Sequence, residues 1–142
     1  MTQQTFKNHT RLDPPYHFFL APLSLVLLVI VVVDVIRNPS WFSAAHLLAG
    51  LWVLVAVALL RVYPLKVQDR VIRLEERLRL HQVLPASLQP RLGELTESQL
   101  IALRFASDAE LPELVPKALD GKWTAKQIKE AVRNWRPDYW RV

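Results

Sequence analysis

A chain of 142 residues has room for one or two small units. It contains no cysteine, which excludes disulfides, thiolate nucleophiles and cysteine-ligated metals. The net charge of +5 is modest, and from Tyr63 onward 14 Lys and Arg are interleaved with 11 Asp and Glu. A nucleic-acid-binding surface would cluster one sign on one face, so no nucleic-acid partner is expected.

The charge is unevenly spread. Up to about Val62 the chain is dominated by Leu, Val, Ile, Phe and Ala, and beyond it has the charge density of a soluble helical segment. Residues 1–17 form a short polar segment. His9 and His17 bracket Asp13 there, but Pro14 and Pro15 argue against the helical spacing a metal site would need, so no metal is expected. Asn8-His9-Thr10 matches a glycosylation sequon that a cytoplasmic location would leave inert.

Phe18–Ile36 is the first apolar run. It holds 19 residues, of which 15 are Leu, Val, Ile or Phe. That length gives about 28 Å of helix, enough to cross the hydrocarbon of a bilayer. Each such side chain favours insertion by roughly 0.3–0.6 kcal/mol at mid-membrane. Asp34 is its one charge and lies within a turn of the end, in reach of Arg37. The run is too long for the core of a signal peptide, so it is expected to stay uncleaved.

Arg37-Asn38-Pro39-Ser40 reads as a turn in which Pro39 stops the helix. A second span is expected over Trp41–Val62, weaker because it carries Ser43, His46, Gly50 and many alanines. So short a link makes the two spans an antiparallel helical hairpin over residues 18–62. Lys7 and Arg11 precede it, a dense set of Arg and Lys follows it, and the turn holds Arg37 alone. The positive-inside rule therefore puts both termini in the cytoplasm. Ala45, Ala49, Gly50 and Ala56 give the second span a small-residue strip that permits close helix approach.

Residues 63–142 are expected to form a cytoplasmic tail. Pro64 should break or kink the chain. Lys66 to about Val83 then reads as an amphipathic helix with Val67, Val71, Leu74 and Leu78 on one face and Ile72 beside them. That stripe is expected to pack against the rest of the tail rather than lie on anionic lipid, while Asp69–Arg73 and Glu75–Arg79 pair on the outer face. Thr96…Gln99, Ser107…Glu110 and Thr124…Gln127 have capping-box spacing, which predicts helices at about 97–106, 108–119 and 125–135. The fold class expected is thus an all-α membrane protein: a transmembrane hairpin followed by a small helical tail domain.

Several stretches resemble a known family. His9-Thr10-Arg11, the segment from Leu65 to Arg77, the stretch Gln99–Asp108 and the ending Asn134-Trp135-Arg136-Pro137-Asp138-Tyr139-Trp140-Arg141 resemble a bacterial family of two-span membrane proteins classed only as a domain of unknown function. The resemblance implies a bacterial inner-membrane protein, and it supplies no activity or cofactor.

Few residues suggest chemistry. His46 lies within a span, where an ionisable side chain is a functional candidate. It could ligate the metal of a tetrapyrrole in a respiratory or photosynthetic complex, or hydrogen-bond Asp34 or a partner helix. Trp135, Arg136, Tyr139, Trp140 and Arg141 belong to the types enriched at binding hot spots, and could equally fold back to complete a small core. No Ser/His/acid set, phosphate loop or metal-ligand spacing is present. The expectation is a non-enzymatic accessory or scaffold subunit without a cofactor. Its partners would be the lipid bilayer and a larger membrane complex or a second copy.

Overall fold

The computed structural model describes residues 4–8 and 12–139. Trp140 and Arg141 lie outside them, as does His9. Among the described residues the regular elements are helices, and the chain divides into two compact units. An apolar unit comprises Leu12–Lys66, and a charged unit comprises residues 67–139 together with residues 4–8.

The apolar unit begins with a π-helical segment, Pro15–Leu20, leading into α1, Ala21–Arg37. The prolines do not prevent this helix. Pro14 and Pro15 sit at its start, where a missing N–H goes unneeded and the fixed φ is already helical. The widened turn has a local cause: Pro22 cannot donate to the preceding turn, and the Ala21 N–H reaches back to the Tyr16 carbonyl instead.

Asn38-Pro39-Ser40 links α1 to α2, Trp41–Val83. Ser40 and Ser43 cap the start of α2 reciprocally. The Ser40 N–H donates to Ser43 Oγ at 2.9 Å and the Ser43 N–H to Ser40 Oγ at 3.1 Å. A serine at the third helical position stands in for the usual Glu or Gln. Gly50 lets α1 approach closely, since a Cβ there would lie 3.0 Å from Val31 Cγ2 and 3.7 Å from Leu28 Cδ1. Further on, Arg61 lies 3.8 Å from Asp13 and over the Tyr16 ring at 5.7 Å.

The helix does not stop at Pro64, as its sequence suggests, but runs through it to Val83. Proline in a helix interior removes the single bond to the carbonyl four residues back, here Leu60, and the good helix formers on either side carry the helix on.

In the charged unit a 3₁₀ turn, Gln89–Glu94, precedes α3 (Glu97–Leu103), α4 (Leu111–Asp120) and α5 (Ala125–Ala131). Helix α3 packs mainly on α5, which also meets α4. Leu80, Leu100, Leu103, Leu111, Val115 and Ile128 are fully buried in their shared core. Thr96 with Gln99, and Thr124 with Gln127, form complete capping boxes. Ser107 and Glu110 do not start a helix at 108; the Glu110 N–H bonds the Ser107 carbonyl in a turn, and α4 begins at Leu111.

Gly121 ends α4, though not as the left-handed residue a terminal glycine usually supplies. Its φ is −82°, and Lys122 takes the positive φ of 47°. The Lys122 N–H donates to the Leu119 carbonyl and the Trp123 N–H to the Ala118 carbonyl, closing the helix end. Glycine is required at 121 for space, because a Cβ would sit 2.5 Å from Trp123 Nε1 and 2.9 Å from the Lys117 oxygen. Two substitutions should therefore act in opposite directions. Lys122→Gly should stabilise the charged unit by about 1 kcal/mol, and Gly121→Ala should destabilise it by about as much or more. Denaturant unfolding of the purified chain, followed by tryptophan fluorescence, measures both.

Candidate functional site

Within the charged unit, the residues of α2 from Val67 to Val83 present two contrasting faces. Ile72, Glu76 and Leu80 are buried. Val67, Val71, Leu74 and Leu78 are 63%, 49%, 60% and 57% exposed. The aliphatic stripe expected to pack is thus the outer face. At about 100° per residue the buried trio lies roughly 180° from it.

The packed face also carries a charge. Glu76 is only 4% exposed, and its carboxylate accepts from Arg79 Nη1 at 2.9 Å and Arg136 Nη1 at 3.3 Å. Burial pushes the Glu76 pKa above its ordinary value, while Arg79, Arg136 and Arg104 pull against that rise. Arg79 also donates to the Ala106 carbonyl at 2.6 Å and reaches Asp108 at 2.7 Å. Arg73 pairs with Glu97 rather than with the Asp69 carboxylate. The pairs expected along one helix face are replaced by pairs that tie α2 to the neighbouring chain.

The carboxyl-terminal segment lies along this cluster. Trp135 packs on the core with its ring centroid 4.7 Å from that of Phe105, and bridges Ala106 in antiparallel fashion. The Arg136 N–H donates to the Phe105 carbonyl at 2.8 Å. Asp138 pairs with the buried Arg104 at 3.1 Å, and its N–H donates to Gln4 Oε1 at 2.8 Å. The Arg104 guanidinium stacks over Phe105 at 4.3 Å. Arg136 and Asp138 interrupt the aromatics in sequence, yet each finds a buried partner of opposite charge. Tyr139 remains 48% exposed. An open groove of about 760 Å³ runs beside these residues, bordered by Val71, Glu75 and Leu78 on one wall and Arg136 and Pro137 on the other.

The polar residues of the apolar unit are not gathered into a site. Asp34 accepts from Asn38 Nδ2 at 3.0 Å, and Arg37 and His46 are exposed. Of the small-residue strip, Gly50 meets α1 while Ala45 and Ala49 face outward. His17 bonds the Asp13 backbone. Among the described residues no group of three His, Asp or Glu is placed to hold a metal ion.

An all-helical chain with two helices long and apolar enough to cross a membrane is the class these features define. It belongs to a family of unknown function, DUF6526, whose model matches residues 1–142. No curated protein and no solved structure matches it.

Glu110 is the residue whose role sequence spacing missed. Its carboxylate accepts from Ser107 Oγ at 2.9 Å, the Arg133 N–H at 2.9 Å and the Asn134 N–H at 3.2 Å. Burial works to raise its pKa, but those donors outweigh it and hold the pKa below the ordinary 4.5. A carboxyl whose folded pKa is depressed contributes stability that is full above its unfolded value and is lost as the pH falls through the folded one. Glu110→Gln should therefore cost roughly 1–2 kcal/mol at neutral pH and flatten the acid limb of the stability curve below about pH 4.5. Trp135→Ala should cost about 2–3 kcal/mol and open the unit to protease. Urea titrations across pH, with limited proteolysis, test both.

Proposed function

We infer that this chain is a non-enzymatic membrane adaptor of a bacterial inner-membrane assembly. A hairpin of two spans, about 18–36 and 41–62, anchors it, and the charged helical unit docks a partner on the cytoplasmic side. One observation carries the reading. Residues 4–8 belong to the same compact unit as residues 67–139, with the whole apolar unit between them in sequence. If the apolar unit crosses the bilayer, the chain must enter and leave on the same face, which takes an even number of spans. The surplus of Lys and Arg around those ends assigns that face to the cytoplasm.

Burial supports the anchor. Only 6% of the most apolar stretch of the first helix and 11% of that of the second are covered by protein. The core helices of a water-soluble fold would be mostly buried, and so much bare aliphatic surface calls for lipid. Contacts along the unit support antiparallel spans, since Asp13 and Tyr16 meet Arg61 while Leu28 and Val31 meet Gly50. Trp41 and Phe42 at one end, and Tyr16 and Tyr63 at the other, suit the two interfaces.

The test is accessibility. Because the chain has no cysteine, Asn38→Cys and Lys126→Cys each introduce one reporter. Asn38→Cys should react with an impermeant thiol reagent in intact cells, and Lys126→Cys only after lysis. The opposite pattern, or both proteins in the soluble fraction, would overturn the reading.

A further inference from the structure

We propose that the exposed Val67-Val71-Leu74-Leu78 stripe is a self-association seam, pairing in parallel with the same stripe of a second copy of this chain. The proposal rests on the membrane reading above and names one partner of the charged unit.

The four residues follow the 4-3-4 spacing of the alternating d and a positions of a heptad repeat, Val67 and Leu74 at d and Val71 and Leu78 at a. At its centre, Val71 at a followed by Leu74 at d is the arrangement that favours two strands. The stripe is free to pair, because the unit's own core is built on the opposite face.

The flanking charges choose the partner. Arg70 and Arg77 stand at the g positions on one side, and Gln68, Glu75 and Gln82 at the e positions on the other. Arg70 and Glu75 are exposed and, among the described residues, belong to none of the unit's ion pairs. Five residues apart on opposite flanks of the stripe, they cannot meet within one helix. In a parallel pair, g of one helix faces e of the next heptad in the other, so Arg70 meets Glu75 of the second copy twice by symmetry. An antiparallel pair would bring g against g and e against e, setting arginine beside arginine. The pattern therefore selects a copy with the same direction. Two copies in one membrane share that direction, and their confinement raises the effective concentration for a seam of fewer than two heptads.

The test uses full-length protein in native membranes. Leu74→Cys should form a disulfide-linked dimer under mild oxidation, and Lys126→Cys, exposed and off the seam, should not. In the Leu74→Cys background Arg70→Glu should lower the dimerisation constant roughly fivefold, Glu75→Arg should do the same, and the double exchange should restore it. Rescue by the double exchange is expected only for a parallel pairing. Absence of the Leu74→Cys dimer overturns the proposal. If that cysteine is also shielded from an aqueous thiol reagent, the stripe lies on lipid; if it reacts freely, it faces water. A dimer indifferent to both charge changes equally overturns it. Sedimentation of the same protein with membranes reports the anchoring reading separately.

Discussion

Burying a carboxylate costs several kcal/mol unless cations accompany it, and the charged unit supplies Glu76 with two, Arg79 and Arg136. Those arginines lie on opposite sides of the core in sequence, one a turn along the same helix and one at the far end of the chain. With Ile72 and Leu80 turned inward, Glu76 on the same face is buried too, and the carboxyl-terminal segment lies across it to bring the second arginine. The rest follows from that placement. Trp135 is delivered to Phe105, Asp138 to Arg104 and to Gln4, and Arg79 to the Ala106 carbonyl. Removing Arg79, the buried partner, costs about 3–5 kcal/mol because the Glu76 charge is stranded, whereas the half-exposed Arg136 contributes less.

Much of the local structure was legible in the sequence because its causes are local. Thr96 with Gln99 and Thr124 with Gln127 cap their own helices through atoms three residues apart, and spacing alone reveals them. Asn38-Pro39-Ser40 marks the link between the long helices for a similar reason. Ser107 and Glu110 have the same spacing and a different fate: the Glu110 carboxylate accepts from Ser107 and also from N–H groups 23 and 24 residues away, while the Glu110 N–H bonds the Ser107 carbonyl in a turn instead of the serine oxygen. Of the break or kink expected at Pro64, the break does not occur: proline forfeits one hydrogen bond, and a helix with many can continue past it.

The orientation of α2 was the least legible feature. Aliphatic periodicity identifies a face that needs a partner but does not say whose. Val67, Val71, Leu74 and Leu78 form the cleaner apolar pattern, yet the inward face is Ile72, Glu76 and Leu80. A glutamate at the centre of a packed face looks like surface until Arg136, sixty residues on, is known to reach it. The candidate site was partly legible in the same sense. Trp135, Arg136 and Tyr139 drew notice as binding types, and the structure spends Trp135 and Arg136 on internal contacts, leaving the groove that Arg136 borders and the stripe beside it as open surface.

The bond between Asp138 and Gln4 joins residues 134 positions apart. A ribosome adding roughly 5–20 residues per second needs on the order of ten seconds to make that span. By the time Asp138 is made both long apolar helices are complete, and only then can Gln4 meet this partner. Biogenesis is therefore ordered by the covalent chain itself: the apolar segments must find their surroundings first, and the charged unit closes around its earliest residues last.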